Sequence, residues 1–341
     1  MKRFLNKLVN NEHLTIEEMK EATTLCLQQS TSEAEMGAFL TALRVKGETA
    51  DEVTGIVEVI RSHSPLHSLK IDNVIDNCGT GGDHSNSFNI STTTAFVLAG
   101  AGITVPKHGN RSISSSTGSA DVLEYLGVSL SLTDEQTEEM LQKNQISFLF
   151  APHVHSVMKH FMNVRRALKI PTIFNMIGPL TNPIELDSQL LGVYDRDLLP
   201  IMAQSLNKLG RKRAVIVNGA GQMDEASLAG KNHLILLDDG KITPFTLTPE
   251  DVKLPTYTLE DIKGGDAKQN ANILLSVLRG EKSPYLDTVL LNAALGFYAH
   301  GLVDSPLHGV ELAKESIYSG AALKRLQTLI DYSKQITEEV S

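Results

Sequence analysis

Cysteine is nearly absent from the chain: Cys26 and Cys78 are the whole complement of 341 residues. Two thiols so far apart offer neither a disulfide framework nor a metal cluster, so a reducing cytoplasm is the expected compartment. Positive charge is also in short supply. With 31 Lys and Arg against 40 Asp and Glu, the formal charge is −9 at pH 7, which argues against nucleic acid or an anionic membrane as partner. No apolar run is long enough to cross a bilayer, and the basic start Met1-Lys2-Arg3-Phe4-Leu5 leads into Asn6, Lys7, Asn10, Asn11 and Glu12 instead of a signal-peptide core. A soluble, cytoplasmic protein is therefore expected, without membrane or nucleic-acid partners. What is present is ordinary: 41% hydrophobic residues suffice for a packed interior. The length exceeds the usual single core and predicts one large domain with a smaller one.

Up to about Ser64 only helix signals occur. Three S/T-x-x-E pairs, Thr15 to Glu18, Ser32 to Glu35 and Thr49 to Glu52, each open a segment with apolar residues at helical spacing, and Met36, Phe39, Leu40 and Leu43 form a stripe that Gly47 closes. Ser64-Pro65-Leu66-His67 reads as a linker. From Asn73 the pattern alternates short apolar strands with helices: Val74-Ile75, a helix from Thr93 to Leu98, Ile103-Thr104-Val105, and Ser147-Phe148-Leu149-Phe150. Such alternation predicts an α/β domain with a mainly parallel central sheet flanked by helices. Residues 1–68 are expected to form a small all-helical domain, joined by helices from about 155–185, and residues 73–341 the α/β domain. The stretch from Ala151 to Pro183 is helical in pattern, and periodicity leaves open whether it returns to the helical unit or crosses the sheet. Arg213 to Asn218 reads as a buried strand. His233 to Leu237 and Ile242 to Phe245 flank Asp238-Asp239-Gly240-Lys241, a hairpin signal.

The stretch around which the chain is organised is Asp76-Asn77-Cys78-Gly79-Thr80-Gly81-Gly82-Asp83. Glycines let backbone N–H groups approach an anion, and a helix start offers unpaired N–H groups and a positive dipole end. The loop is neither a Walker A motif nor a G-x-G-x-x-G dinucleotide fingerprint. Its bland reading is a tight turn between strand and helix. The residues that follow favour a phosphate site instead, because Asn89, Ser91, Thr92, Thr93 and Thr94 crowd an amide and hydroxyls at a helix start. Lys107 and Arg111 flank Gly109-Asn110 as a cationic turn just after a strand, and Ser112 to Thr117 with Gly118 make a polar connection before Asp121. Ligands of open α/β sheets bind at such strand ends. Asp224-Glu225 supply adjacent hard-oxygen ligands suited to Mg²⁺, or else a solvated acidic helix turn. His153, His155 and His160 lack the spacing of a metal set. Leu234 to Asp239 mimics an apolar run with two acids that opens a ribose-phosphate site, but no phosphate loop follows it, and a hairpin explains it better.

Taken in order, Asp76 to Asp83, Asn89-Ile90-Ser91-Thr92, Lys107-His108-Gly109-Asn110-Arg111, Gly118 to Glu124 with Gly127, Thr172-Ile173-Phe174-Asn175 with Gly178-Pro179-Leu180 and Asn182-Pro183, and Asp224-Glu225 resemble the anthranilate phosphoribosyltransferases over nearly the whole chain. The resemblance implies a helical domain hinged to a larger α/β domain of the nucleoside phosphorylase-like phosphoribosyltransferase fold. It also implies a homodimer through the helical domain, and Mg²⁺-dependent transfer, with two ions, from phosphoribosyl pyrophosphate to the amine of anthranilate in tryptophan biosynthesis. By the same resemblance, Gly79, Gly81, Gly82 and Asp83 are the pyrophosphate loop, and Asn89, Ser91, Thr92 and Lys107 bind the phosphoribosyl pyrophosphate. Ser91, Asp224 and Glu225 ligate metal, and Gly79, Asn110 and Arg165 meet anthranilate, with Arg165 facing the carboxylate. No general base is implied. Two local departures stand out: Met162-Asn163-Val164 lacks the usual proline, and Gln222-Met223 replaces Gly-Leu. A pyrimidine nucleoside phosphorylase of the same fold would carry a Lys-His-Ser-Thr-Gly-Gly type loop, and a nucleic-acid-binding relative would show a basic surface. Neither matches this chain.

Overall fold

In the computed structural model of the chain, residues 1–28, 30–111 and 117–340 are described. Helix α1 (Lys2–Val9) precedes α2 (Ile16–Cys26), α3 (Glu33–Lys46) and α4 (Ala50–Ser62), and the last three open on the pairs read from sequence. In each, the cap hydroxyl accepts the N–H at the third helical position and the glutamate accepts the cap's own N–H. Such a reciprocal pair satisfies two N–H groups that a helix start leaves unbonded, a contribution of about 1 kcal/mol per cap. Behind the caps Phe4, Leu14, Met19, Phe39, Leu40, Leu43, Ile56 and Ile60 are enclosed. Gly55 lets α4 cross α2 closely, since a Cβ there would lie 2.7 Å from Ile16 O and 2.8 Å from Met19 Cβ.

After a short turn at Pro65–Ser68 the α/β alternation begins. Its elements are β1 (Ile75–Gly79), α5 (Ile90–Gly100), β2 (Val105–Gly109), α6 (Ser119–Tyr125), α7 (Asp134–Asn144), β3 (Ile146–Phe150), α8 (Ala151–Val154) and α9 (Lys159–Leu168). They continue through β4 (Ser188–Gly192), α10 (Leu199–Lys208), β5 (Arg213–Asn218), β6 (Asn232–Asp238) and β7 (Lys241–Leu247) to α11 (Ala267–Leu278), α12 (Pro284–His300), α13 (Pro306–Tyr318) and α14 (Ala321–Val340). The main sheet has the order β1-β4-β5-β6-β7, with β1, β4 and β5 parallel and β6 and β7 antiparallel. The parallel pair β2-β3 adjoins β1 through the bridge between Val74 and Thr104. The β6-β7 hairpin turns at Asp239 and Gly240, both at positive φ (43° and 82°), the conformation an Asp-Gly turn supplies. Edge strand β7 carries Pro244, which blocks further pairing.

Alternation along the strands divides the interior in two. On β5, Ala214 and Ile216 face one core while Val215 and Val217 face the other, as Leu190 and Leu191 do on β4. One core packs α5 and α11 to α14 against the sheet. The other runs without a break from the sheet through Met202, Ala203 and Leu206 of α10 into the helical unit. The stretch whose destination periodicity left open goes to that side: Phe161 and Val164 of α9 join the same core, with Val164 Cγ1 3.7 Å from where a Cβ on Gly37 of α3 would stand. Among the described residues no helix is long and apolar enough to cross a membrane.

Candidate active site at the carboxyl ends of the strands

Strands β1, β4 and β5 run parallel, so their carboxyl ends open on one side. Glycines stand there: Gly79 ends β1, Gly192 ends β4, and Gly219 follows β5. The segment Asp224-Glu225 lies across all three. A Cβ on Gly79 would come within 2.3 Å of Asp224 Oδ2, one on Gly192 within 1.5 Å of Asp224 O, and one on Gly219 within 2.1 Å of Glu225 O. Gly79 was among the site residues expected from sequence; Gly192 and Gly219 were not. The available signal was a glycine closing an apolar strand, in Leu190-Leu191-Gly192 and Val217-Asn218-Gly219. Beyond Gly79 the loop turns through Gly81 and Gly82 at φ 69° and 83°, and Gly81 N–H donates to Asp224 Oδ2 at 2.6 Å. Thr80 ties the loop to β4, its N–H donating to Gly192 O and its hydroxyl accepting from Tyr194 N–H.

Helix α5 begins at the far end of this loop. Its start is hydrogen-bonded to the second acidic residue, since Ser91 N–H donates to Glu225 Oε1 at 3.2 Å. Asn77 Nδ2, from β1, donates to Ser91 O at 2.8 Å and fixes the helix against the strand. Asp83 accepts from Ser85 N–H, and among the described residues its other carboxylate oxygen, which is buried, has no hydrogen-bond donor. Thr92 is buried, and among the described residues its hydroxyl has no partner. Gly79, Asp83, Asn89 and Ser91 are half-buried; Gly81, Gly82 and Asn110 are exposed.

Lys107 is placed differently from the sequence expectation. It does not lie on a turn after the strand: β2 extends to Gly109, so Lys107 is a strand residue, 3% exposed. Its Nζ donates to Asn77 O at 3.2 Å and to His108 O at 3.0 Å. Arg111, the other cation of that turn, is held by acidic side chains. Its guanidinium pairs with Asp121 and bidentately with Glu124, so its charge is committed. The residues 112–116 of the polar connection lie outside the described residues.

Acid charge dominates this region. Burial pushes the Asp224 carboxyl up, and Asp83 beside it adds to the rise. Glu225 is raised well above the ordinary range by burial and by Asp224, with Lys107 and Ser91 opposing. Burial likewise raises Asp76, against the pull of Lys107 and the Asn182 amide. Each of these shifts records a carboxylate short of compensating positive charge. Burial holds the Cys78 thiol up at about 12, which makes it a poor nucleophile. His108 and His155 form an edge-to-face pair with centroids 5.2 Å apart, and burial lowers both, His155 to about 4. Both rings are therefore neutral at pH 7. Among the described residues no group of three or more His, Cys, Asp or Glu side chains is arranged to hold a metal ion by itself.

Asn110 and Arg165 are not hydrogen-bonded to this cluster. Asn110 sits just past β2, its side-chain oxygen accepting from Arg111 N–H. Arg165 projects from α9 with its guanidinium 5.1 Å above the Phe174 ring. Its Nη1 also lies 4.0 Å from Met162 Sδ, and burial lowers its pKa. A planar cation stacked in place is set to receive a carboxylate in fork geometry. Arg166 is exposed and bonds Asn163.

Residues 2–64 match the helical bundle domain of the glycosyl transferase family and residues 71–323 its a/b domain. Over 340 residues, covering all of both chains, the sequence is 56% identical to the anthranilate phosphoribosyltransferase of Oceanobacillus iheyensis. The chain belongs to the anthranilate phosphoribosyltransferase family. Membership makes it an enzyme, a transferase of the glycosyl type. Among solved structures, the anthranilate phosphoribosyltransferase from Thermus thermophilus superposes with a TM-score of 0.92 at 37% identity, over 97% of this chain and 99% of that one. The enzyme from Saccharomyces cerevisiae in complex with PRPP and Mg gives 0.88 at 29% identity, over 98% and 97%. The small helical domain and larger, mostly parallel α/β domain are those of the family.

Proposed function

We propose that the chain joins the amine of anthranilate to C1 of the ribose of phosphoribosyl pyrophosphate, releasing pyrophosphate, in tryptophan biosynthesis, and that it does so at these strand ends. The observation that carries the reading is the seating of two carboxylates on backbone N–H groups, Asp224 on Gly81 at 2.6 Å and Glu225 on Ser91 at 3.2 Å. An N–H group that holds a carboxylate oxygen at a glycine loop or helix start can equally hold a phosphate oxygen. In this reading Gly79, Gly81, Gly82 and Asp83 hold the pyrophosphate, and Asn89, Ser91, Thr92 and Lys107 the remainder of the donor. Gly79, Asn110 and Arg165 position anthranilate, with Arg165 gripping its carboxylate.

Ser91, Asp224 and Glu225 hold Mg²⁺, and two ions are proposed. The fit rests on the raised carboxyls Asp76, Asp224 and Glu225, of which Lys107 opposes the rise of Asp76 and Glu225 but not of Asp224. Mg²⁺ suits such a site because it binds through one or two carboxylates and takes its other ligands from substrate phosphates and water. When bound, it stabilises the negative charge that builds on the departing pyrophosphate. The loop N–H groups serve the same end, so electrostatics and positioning carry the reaction. No side chain is assigned as general base, since the aromatic amine is weakly basic and loses its proton late.

Two larger-scale features complete the reading. Residues 1–68, with helices from 155–185, act as one domain that closes on residues 73–341 and excludes water. A homodimer forms through the helical domain, where an open groove of about 430 Å³ between α3 and α9 is lined by Ala34, Gly37, Ala38, Val164 and Ala167. The deciding experiment follows the loss of anthranilate fluorescence with phosphoribosyl pyrophosphate and Mg²⁺. Consumption that needs all three components is expected; no consumption would overturn the assignment.

A further inference from the structure

Asn89 occupies the N-cap of α5 but makes no side-chain cap. Asparagine is among the strongest capping residues, because its side-chain oxygen ordinarily accepts an N–H from the first turn of its own helix. Here that oxygen is taken elsewhere: Asn270 Nδ2 donates to Asn89 Oδ1 at 2.8 Å. Asn89 Nδ2 donates to Thr117 O at 3.4 Å. Asn270 lies in the first turn of α11 and is 2% exposed. Its own oxygen accepts Gly265 N–H at 2.7 Å, so its amide cannot swap ends without losing that bond.

The segment that carries this contact is built to meet the glycine loop. Phe88 N–H donates to Ile262 O at 3.1 Å, and Gly264 N–H donates to Asn86 O at 2.9 Å. A Cβ on Gly264 would stand 2.7 Å from Asn270 Oδ1 and 2.8 Å from Phe88 Cα, so only glycine fits between them. Thr117 donates its hydroxyl to Gly265 O at 2.7 Å. Both sides of the loop-and-helix start are thus tied to residues 262–270, far away in the chain and absent from the motifs that identified the site.

We propose that Asn270 is a positioning residue for phosphoribosyl pyrophosphate: it holds the Asn89 side chain off the first turn of α5, where Ser91 N–H already carries Glu225, so that this turn is left to the metal-ligating carboxylate and the phosphate. The proposal rests on the reading of the α5 start and Asn89 as part of the donor site. Without Asn270, Asn89 is free to cap its own helix and competes with Glu225 and the anionic substrate for the N–H groups of that turn. A self-cap of ordinary strength corresponds to about a tenfold loss of donor affinity, or about 1.4 kcal/mol.

Two variants separate this role from plain packing. Asn270→Ala removes both hydrogen bonds. Asn270→Asp keeps an acceptor for Gly265 N–H but cannot donate to Asn89 Oδ1; if Asn89 flips to pair with it, the wrong end of its amide faces the donor. Affinity for phosphoribosyl pyrophosphate is measured by calorimetry with Mg²⁺, together with KM for both substrates and the melting temperature, in the wild-type and Asn89→Ala backgrounds. Both variants are expected to weaken phosphoribosyl pyrophosphate about tenfold while the anthranilate KM stays unchanged, with Asn270→Asp losing less thermal stability. In the Asn89→Ala background, where no self-cap can form, the loss should disappear. Equal effects on both substrates, or an undiminished loss in that background, would overturn the proposal alone. Unchanged donor affinity in Asn89→Ala itself would remove Asn89 from the site, and the proposal with it.

Discussion

Gly192→Ala tests the architecture of the site more sharply than any change to a charged residue. The methyl carbon would lie 1.5 Å from Asp224 O, 2.4 Å from Asp224 C and 3.2 Å from Asp224 Cα. Carbon and oxygen without a bond between them require at least about 3 Å, so the carbonyl must retreat by roughly 1.5 Å. The obstacle is backbone, and no rotamer change relieves it. Strand β4 cannot yield instead, because Gly192 is paired on both sides, with Gly79 of β1 and Val217 of β5. The displacement therefore falls on Asp224-Glu225 and pulls Asp224 from Gly81 N–H. Overpacking of this kind costs about 1–3 kcal/mol of stability, and misplacing a positioned group by about 1 Å can cost about 100-fold in rate. We expect a folded enzyme with a melting temperature lower by several degrees. Its kcat/KM in the anthranilate fluorescence assay should fall by about 100-fold, and it should need about tenfold more Mg²⁺ for half-maximal rate. A variant with wild-type turnover and an unshifted Mg²⁺ titration would refute the view that the three strand-end glycines exist to seat Asp224-Glu225.

The remaining expectations concern individual side chains. Asp224→Asn combined with Glu225→Gln keeps the shape of the segment and should lower Mg²⁺-dependent turnover by at least about 100-fold with circular dichroism unchanged; retained activity would remove both from the metal site. Arg165→Ala should raise the anthranilate KM about 10- to 100-fold, the scale of a lost charge-assisted hydrogen-bonded pair, and leave that for phosphoribosyl pyrophosphate nearly unmoved; a matched rise in both would count against the fork on the carboxylate. A pH dependence follows from the raised carboxyls. Asp224 and Glu225 hold their protons more tightly folded than unfolded. The stability this linkage contributes is present below the unfolded carboxyl pKa, about 4, and is lost as pH rises through the folded values. Without Mg²⁺, wild-type protein should lose stability on going from about pH 4.5 to pH 8 relative to the Asn/Gln double variant; parallel melting curves would contradict the charge assignment.

What the sequence disclosed and what it hid divide along the range of the interactions involved. The three capping pairs and the Asp239-Gly240 turn were legible because each is decided by residues a few positions apart, so local chemistry fixes the backbone. The glycine loop was legible for the same reason: consecutive glycines and the hydroxyl-rich start of α5 are neighbours in the chain. Lys107 was misplaced onto a turn because polar Lys107 and His108 break the apolar pattern of β2, while the strand continues by pairing with Phe148 and Leu149 on β3. The acidic partners of Arg111 were not foreseen because they lie on α6, which begins only after the polar connection. The seat of Asp224 depends on contacts across the chain, 143 residues apart for Gly81 and on strand β4 for Gly192. Nothing in the run Leu190-Leu191-Gly192 indicates what will lie above the glycine until β4 is inserted between β1 and β5. Asn270 is the extreme case, a polar residue in an ordinary amphipathic helix, whose effect on the site is exerted through the unused capping capacity of Asn89. The glycine loop and helix start proposed to hold the phosphate can therefore be recognised from their own residues, whereas what positions them is distributed over the parts of the chain that look least like a site.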